Sequence, residues 1–105
     1  MAKYPKNYMA LQKKFPELLT AQEKAGKLAK KAGPLDEKTC QLIQLAACAA
    51  LRSEGGVHSH ARRAVKAGAS KAEVYHAVAL LINTIGFPTT AATFSWVNDI
   101  AGKKE

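Results

Sequence analysis

The segment "SKAEVYHAVALLINTIGFP", Ser70 to Pro88, constrains the fold more than any other stretch of the chain. Ser70 followed three residues later by Glu73 is a capping box, a reciprocal pair of bonds between side chains and backbone amides that starts a helix. Val74, Ala77, Val78, Leu81, Ile82 and Ile85 then recur at three- and four-residue steps, which predicts one unbroken helical stripe. The reverse side, His76, Ala79, Leu80 and Asn83, is also rather apolar. A chain of 105 residues is one small domain, and a domain of that size cannot cover a helix that is apolar on nearly every side. The expectation is an obligate homo-oligomer with this helix in or beside the subunit interface.

The remainder is helical as well. Tyr8, Leu11, Phe15, Leu18 and Leu19 keep helical spacing, with Pro16 ending or kinking the first segment. A lysine-rich segment from about Thr20 to Lys31 closes at Ala32-Gly33-Pro34, a helix stop and turn. Asp36 suits the N-cap of a helix from Glu37 to about Leu51. Gly55-Gly56 is expected to break the chain, and the next helix to stop at Gly68 in the left-handed conformation. Gly86 permits a bend, and Pro88 suits the first turn of a last helix to about Ile100 that carries Phe94, Trp96 and Val97. No stretch alternates long enough for a strand. The fold class is therefore all-α: one domain over 1–105, with a basic helical segment over 1–34 ahead of a core over 35–100.

Apolar residues make up 48% of the chain, enough for a core. No membrane span is expected, and "MAKYPKNYMALQKKF" puts lysines and aromatics where a signal peptide needs an apolar block, so the expected location is cytoplasmic. Cys40 and Cys48, on one helix, are separated by about 12 Å of rise, too far for a disulfide. With neither CxxC nor HxxxH present, no metal site and no cofactor is expected. The net charge of +8 is uneven: residues 1–38 hold nine lysines against four acids, the remainder seven bases against four acids. Few arginines and no recognition-helix motif argue against a nucleic-acid partner, leaving the lysines as solvated helix faces.

Three stretches, "LDEKTCQLIQLAACAAL", "HARRAVKAGASKAEVYHAVAL" and "GFP", in this order and with a short break after the first, resemble the carboxymuconolactone decarboxylase family, which includes alkyl hydroperoxidase D. The resemblance covers roughly Leu35 to Val97, and the block from His60 through "AGAS" is its most specific part. It implies an alkyl hydroperoxidase D-like helical domain built on a helical hairpin and assembled as trimers or hexamers. Peroxidase-type members look like Cys-x-x-Cys followed by x-x-x-His, with a glutamate on the preceding helix, a relay that forms a thiolate. Here His60 matches the histidine, Ser53 and Gly56 fall at the cysteines, and Gln41 falls at the glutamate. Ser53 and Gly56 carry no redox electrons and neutral Gln41 accepts no proton, so a dithiol peroxidase is not expected. Cys48 is a remote substitute thiol.

Decarboxylase-type members lack the cysteine pair and keep the histidine. The activity this implies is a lyase that removes CO2 from a small carboxylated lactone or related acid. Such a reaction needs donors for the substrate's oxygens and an acid to protonate the resulting carbanion or dienolate. His60, read as lying near a helix start whose dipole lowers its pKa, is that acid or a neutral donor. Gln41, Ser53 and the backbone amides after Gly56 are the uncharged donors, and Glu54 is an acid–base partner. Arg52, Arg62 and Arg63 offer forks for a carboxylate; of the last two, only Arg63 shares the His60 face. His58 points about 200° away from His60 and is expected to be exposed, and His76 is assigned to surface or interface. The rival reading is a retired site, in a non-catalytic oligomer that binds a small anion or a partner protein.

Overall fold

The structure, a computed structural model, describes residues 6–102; the signal-sequence reading at Met1–Pro5 lies outside them. The chain divides into two compact units after Leu35. The first holds α1 (Lys6–Lys14) and α2 (Pro16–Lys31). Pro16 ends the first segment as expected, because its ring lacks an N–H and fits the opening turn of a new helix. Thus α2 begins at Pro16 rather than near Thr20. The two helices pair, the Tyr8 hydroxyl donates to the Glu23 carboxylate, and Leu19 is the one buried residue among those described in this unit.

The second unit is α3 (Glu37–Ala50), α4 (Glu54–Lys66), α5 (Lys71–Ala79), α6 (Ile82–Ile85) and α7 (Phe87–Ala101). Among the described residues there is no strand. Asp36 caps α3 by accepting the Thr39 amide at 2.9 Å. The Ser70–Glu73 capping box is complete, with both reciprocal bonds formed. Three residues join α3 to α4, which makes them an antiparallel hairpin; α7 packs along α4, and α5 on α7. The core joins Leu45 and Ala49 of α3, Val57, Ala61 and Ala64 of α4, Ala69 between α4 and α5, Val74 and Val78 of α5, and Val97 and Ala101 of α7. Alanines on both hairpin helices let their backbones approach closely.

Two expectations are corrected. Gly55-Gly56 does not break the chain. The break lies at Leu51–Ser53, where Arg52 takes φ +56°, and both glycines sit in the first turn of α4. Ser53 overrides their weak propensity: as N-cap its Oγ accepts the Gly56 amide at 3.1 Å. The apolar stripe from Val74 to Ile85 is not one helix. Bonds from Leu81 N to Val78 O and from Thr84 N to Leu81 O tighten the chain after α5. This turn keeps Leu81 and Ile85 half-buried while exposing Leu80 and Ile82. On α7, Phe94 is half exposed, with its ring centroid 5.5 Å from that of Tyr75.

No described helix is long and apolar enough to cross a membrane. The reason is interruption, not charge. Val74 to Asn98 contains no Asp, Glu, Lys or Arg, yet the turn at Leu80–Leu81 and Gly86 at φ +91° divide this region into short helices.

Candidate functional site

The α3–α4 hairpin carries the site. His60 is the seventh residue of α4 and Gln41 the fifth of α3, and the hairpin brings them side by side. His60 Nδ1 lies 2.7 Å from Gln41 Oε1, and Gln41 Nε2 donates to Glu37 Oε2 at 2.6 Å. The Gln41 side chain is fully buried, where an unmet amide would cost about 1–3 kcal/mol. The chemistry fixes every direction in this chain. A carboxylate only accepts, so Gln41 must turn its NH2 to Glu37 and its oxygen to His60. That oxygen also only accepts, so Nδ1 must carry a proton. The neutral ring therefore leaves its lone pair on Nε2.

Glu37 is the residue that sequence reasoning missed. Gln41 alone, as a neutral amide, takes up no proton and suggests only an uncharged donor in place of the family's glutamate. A carboxylate nevertheless lies one helical turn upstream, and the spacing of Glu37 and Gln41, four residues apart, was the available signal. The position of His60 is also corrected. Because α4 starts at Glu54, the ring lies well past the first turn, where the helix-dipole effect has largely faded.

The other residues of interest divide between this place and another. Ser53 and Gly56 lie at the start of α4, Gly56 one turn before His60 on the same face. The Gly56 amide is taken up by the Ser53 side-chain cap and the Val57 amide by the Ser53 carbonyl, so the helix backbone does not form the free donor row expected after Gly56. A Cβ built on Gly56 would meet Cys48 Sγ at 2.6 Å and Ser53 Oγ at 2.9 Å. The Cys48 sulfur thus fills the space that a side chain at position 56 would take. Burial pushes the Cys48 thiol up from its ordinary pKa, and the positive charge of Arg63 pulls weakly the other way. Arg63 and Arg62 are both exposed. Arg52 instead spends its guanidinium on the Thr89 hydroxyl at 2.7 Å.

Glu54 lies with His58, not His60. His58 is half-buried rather than exposed, with Nε2 2.9 Å from Asp99 Oδ2 of α7 and 3.9 Å from Glu54 Oε2. His76 is exposed.

An antiparallel helical hairpin that buries an amide between an imidazole and a carboxylate defines the class: an all-α protein with a histidine site supported from the neighbouring helix. The sequence profile of the carboxymuconolactone decarboxylase family matches residues 16–99, and the chain belongs to that family. The match begins at α2, further upstream than the Leu35 start read from the sequence. In the crystal structure of apo-lpg0406, a carboxymuconolactone decarboxylase family protein from Legionella pneumophila, the same fold recurs with a TM-score of 0.76 at 26% identity, over 90% of this chain and 88% of that one. Among curated proteins no sequence matches significantly.

Proposed function

We propose that this family member is a carboxy-lyase that binds a small carboxylated lactone or related acid beside His60. The observation that supports the reading is the Glu37–Gln41–His60 chain. It holds the imidazole in one tautomer and one orientation, with the lone pair on Nε2 as the atom that takes up a proton and delivers it. As CO2 leaves, the electron pair of the broken C–C bond passes into the unsaturated lactone as a dienolate. The protonated Nε2 then supplies the proton that quenches it. Arg63, on the same face of α4, pairs with a substrate carboxylate, and the Ser53 hydroxyl donates to a substrate oxygen. Glu54, engaged with His58, has no part in this scheme.

The test is turnover of carboxylated unsaturated lactones, followed as CO2 release and as loss of lactone absorbance. His60→Ala is expected to lower turnover by about 10²–10⁴-fold, the usual contribution of a positioned acid or base. Saturable binding without turnover, weakened by His60→Ala, would replace the lyase with the non-catalytic binder. An unchanged His60→Ala would remove the site assignment altogether.

One observation favours a second reading: the Cys48 sulfur rests where the family's second cysteine would project. A single-thiol peroxidase would use it. Burial disfavours the thiolate that such a reaction needs, and Cys40, eight residues away on the same helix, is too distant to resolve it. Peroxide reduction is therefore expected to be negligible, and turnover lost in Cys48→Ser would reverse the order of the two readings.

The working unit in this proposal is a cytoplasmic homo-oligomer, a trimer or hexamer. Ile43, Leu51, Leu80, Ile82, Phe87 and Phe94 are all exposed in the single chain, more large apolar side chains than a unit of this size usually leaves to water. Sedimentation at micromolar concentration is expected to give a single oligomer, and a monomer would overturn this part.

A further inference from the structure

The opposite side of α4 carries a second cluster of chemically active groups. Glu54 and His58 stand one turn apart on α4, a spacing that puts two ligating side chains on one helix face. The packing of α7 along α4 brings Asp99 to the same place. The ligating atoms of all three lie within 4.8 Å of one another.

An ion pair alone leaves this cluster incomplete. His58 Nε2 offers at most one N–H, and Asp99 lies within hydrogen-bond reach of it at 2.9 Å while Glu54 stands off at 3.9 Å. Two carboxylates facing one imidazole retain a net negative charge even when the ring is protonated. A divalent cation with a neutral imidazole balances both. The dimensions agree. A triangle with sides of 2.9 and 3.9 Å and a third side of at most 4.8 Å has its centre about 2.0–2.4 Å from each corner, which spans zinc's bond lengths of about 2.0–2.2 Å to nitrogen and oxygen.

We propose that Glu54, His58 and Asp99 bind a divalent transition cation of the zinc type. One nitrogen and two carboxylate donors suit zinc, cobalt or manganese, and the exposed side of the cluster admits water to complete the shell. A bound ion joins the first turns of α4 to the last turn of α7. It therefore stiffens, from behind, the helix that carries His60. The proposal is independent of the lyase reading, since none of its three residues takes part in that chemistry.

The experiment is calorimetric titration of the full-length, tag-free, chelator-treated protein with zinc chloride, repeated with cobalt chloride while the visible spectrum is recorded. One zinc per chain is expected, with a cobalt spectrum free of the intense thiolate-to-metal band. His58→Ala and Asp99→Asn should each weaken binding by at least about tenfold, as loss of a supporting partner at a metal site commonly does. Cys40→Ser and Cys48→Ser should leave it within about twofold. Asp99→Asn nearly preserves shape, and the helical circular dichroism of each variant separates lost binding from lost folding. Absence of saturable binding by the parent protein, full affinity in a folded His58→Ala variant, or loss of binding in either cysteine variant would each overturn the site.

Discussion

The two units of the chain treat similar side chains in opposite ways. In residues 36–102, ten apolar residues form a shared core, and α3, α4 and α5 each begin at a side-chain cap. In residues 6–35, Leu19 is buried while Met9, Leu11, Phe15, Leu18 and Leu28 are all exposed, and α2 begins without a side-chain cap. The second unit thus has a packed core of its own, and the Glu37–Gln41–His60 chain lies wholly inside it. The first leaves nearly all of its large apolar side chains exposed in the single chain. The contrast teaches where to look for stability and where to look for partners.

The sharpest way to break the contrast is to remove one leucine from each unit. Leu45→Ala is expected to cost about 2–5 kcal/mol in chemical denaturation, the range for emptying a fully packed site. Leu28→Ala should cost less than about 0.5 kcal/mol when the chain is dilute. If assembly covers α2, the Leu28→Ala penalty will grow with protein concentration, whereas that of Leu45→Ala will not. Equal penalties for the two at every concentration would erase the distinction.

A somewhat smaller effect tests how tightly the scaffold is packed beside the site. Gly56→Ala adds a carbon that Cys48 Sγ already obstructs, at an expected cost of about 1–3 kcal/mol. Pairing it with Cys48→Ala should recover part of that loss, a coupling that a double-mutant cycle measures. Next come the caps: Ser70→Ala should cost about 1 kcal/mol, and Asp36→Ala should destabilise in the same direction.

The smallest effect is on pH dependence. Hydrogen bonds from the Thr39 side chain and amide hold the Asp36 carboxyl below its ordinary value, and the Ser70 amide followed by Lys38 does so for Glu73. A depressed folded-state pKa gives stability that is complete above the ordinary carboxylate range and is lost as pH falls through the lowered value. Acid titration of stability should therefore be shallower in Asp36→Asn and Glu73→Gln than in the parent. Equal slopes would show that these exposed bonds contribute nothing measurable.

Local signals in the sequence were read well, and signals made by packing were not. Asp36, the Ser70–Glu73 pair and Pro16 act within four residues of themselves, so their roles could be stated before the fold was known. The start of α4 was misplaced because two adjacent glycines outweighed a single serine on propensity, although the serine's cap bond decides the outcome. The break after Ala79 was hidden because every residue near it is apolar, which leaves the periodicity without a phase marker. In the site, His60 and Gln41 were recognisable from family position. Glu37 carries no such marker, because it lies one helical turn before the aligned residue. Asp99 joins Glu54 and His58 only through the docking of α7 on α4, with His58 and Asp99 separated by 41 positions in the chain, a contact that no local pattern announces.

The sulfur lying over Gly56 also imposes an order on change. Two neighbouring helices share room for a single substituent there, so position 48 must shrink before position 56 can grow. Reinstating a cysteine at 56 first passes through an overfilled intermediate, whereas trimming Cys48 first leaves a tolerable gap. Anyone wishing to rebuild a dithiol catalyst on this scaffold has one open route of the two, and it begins on α3.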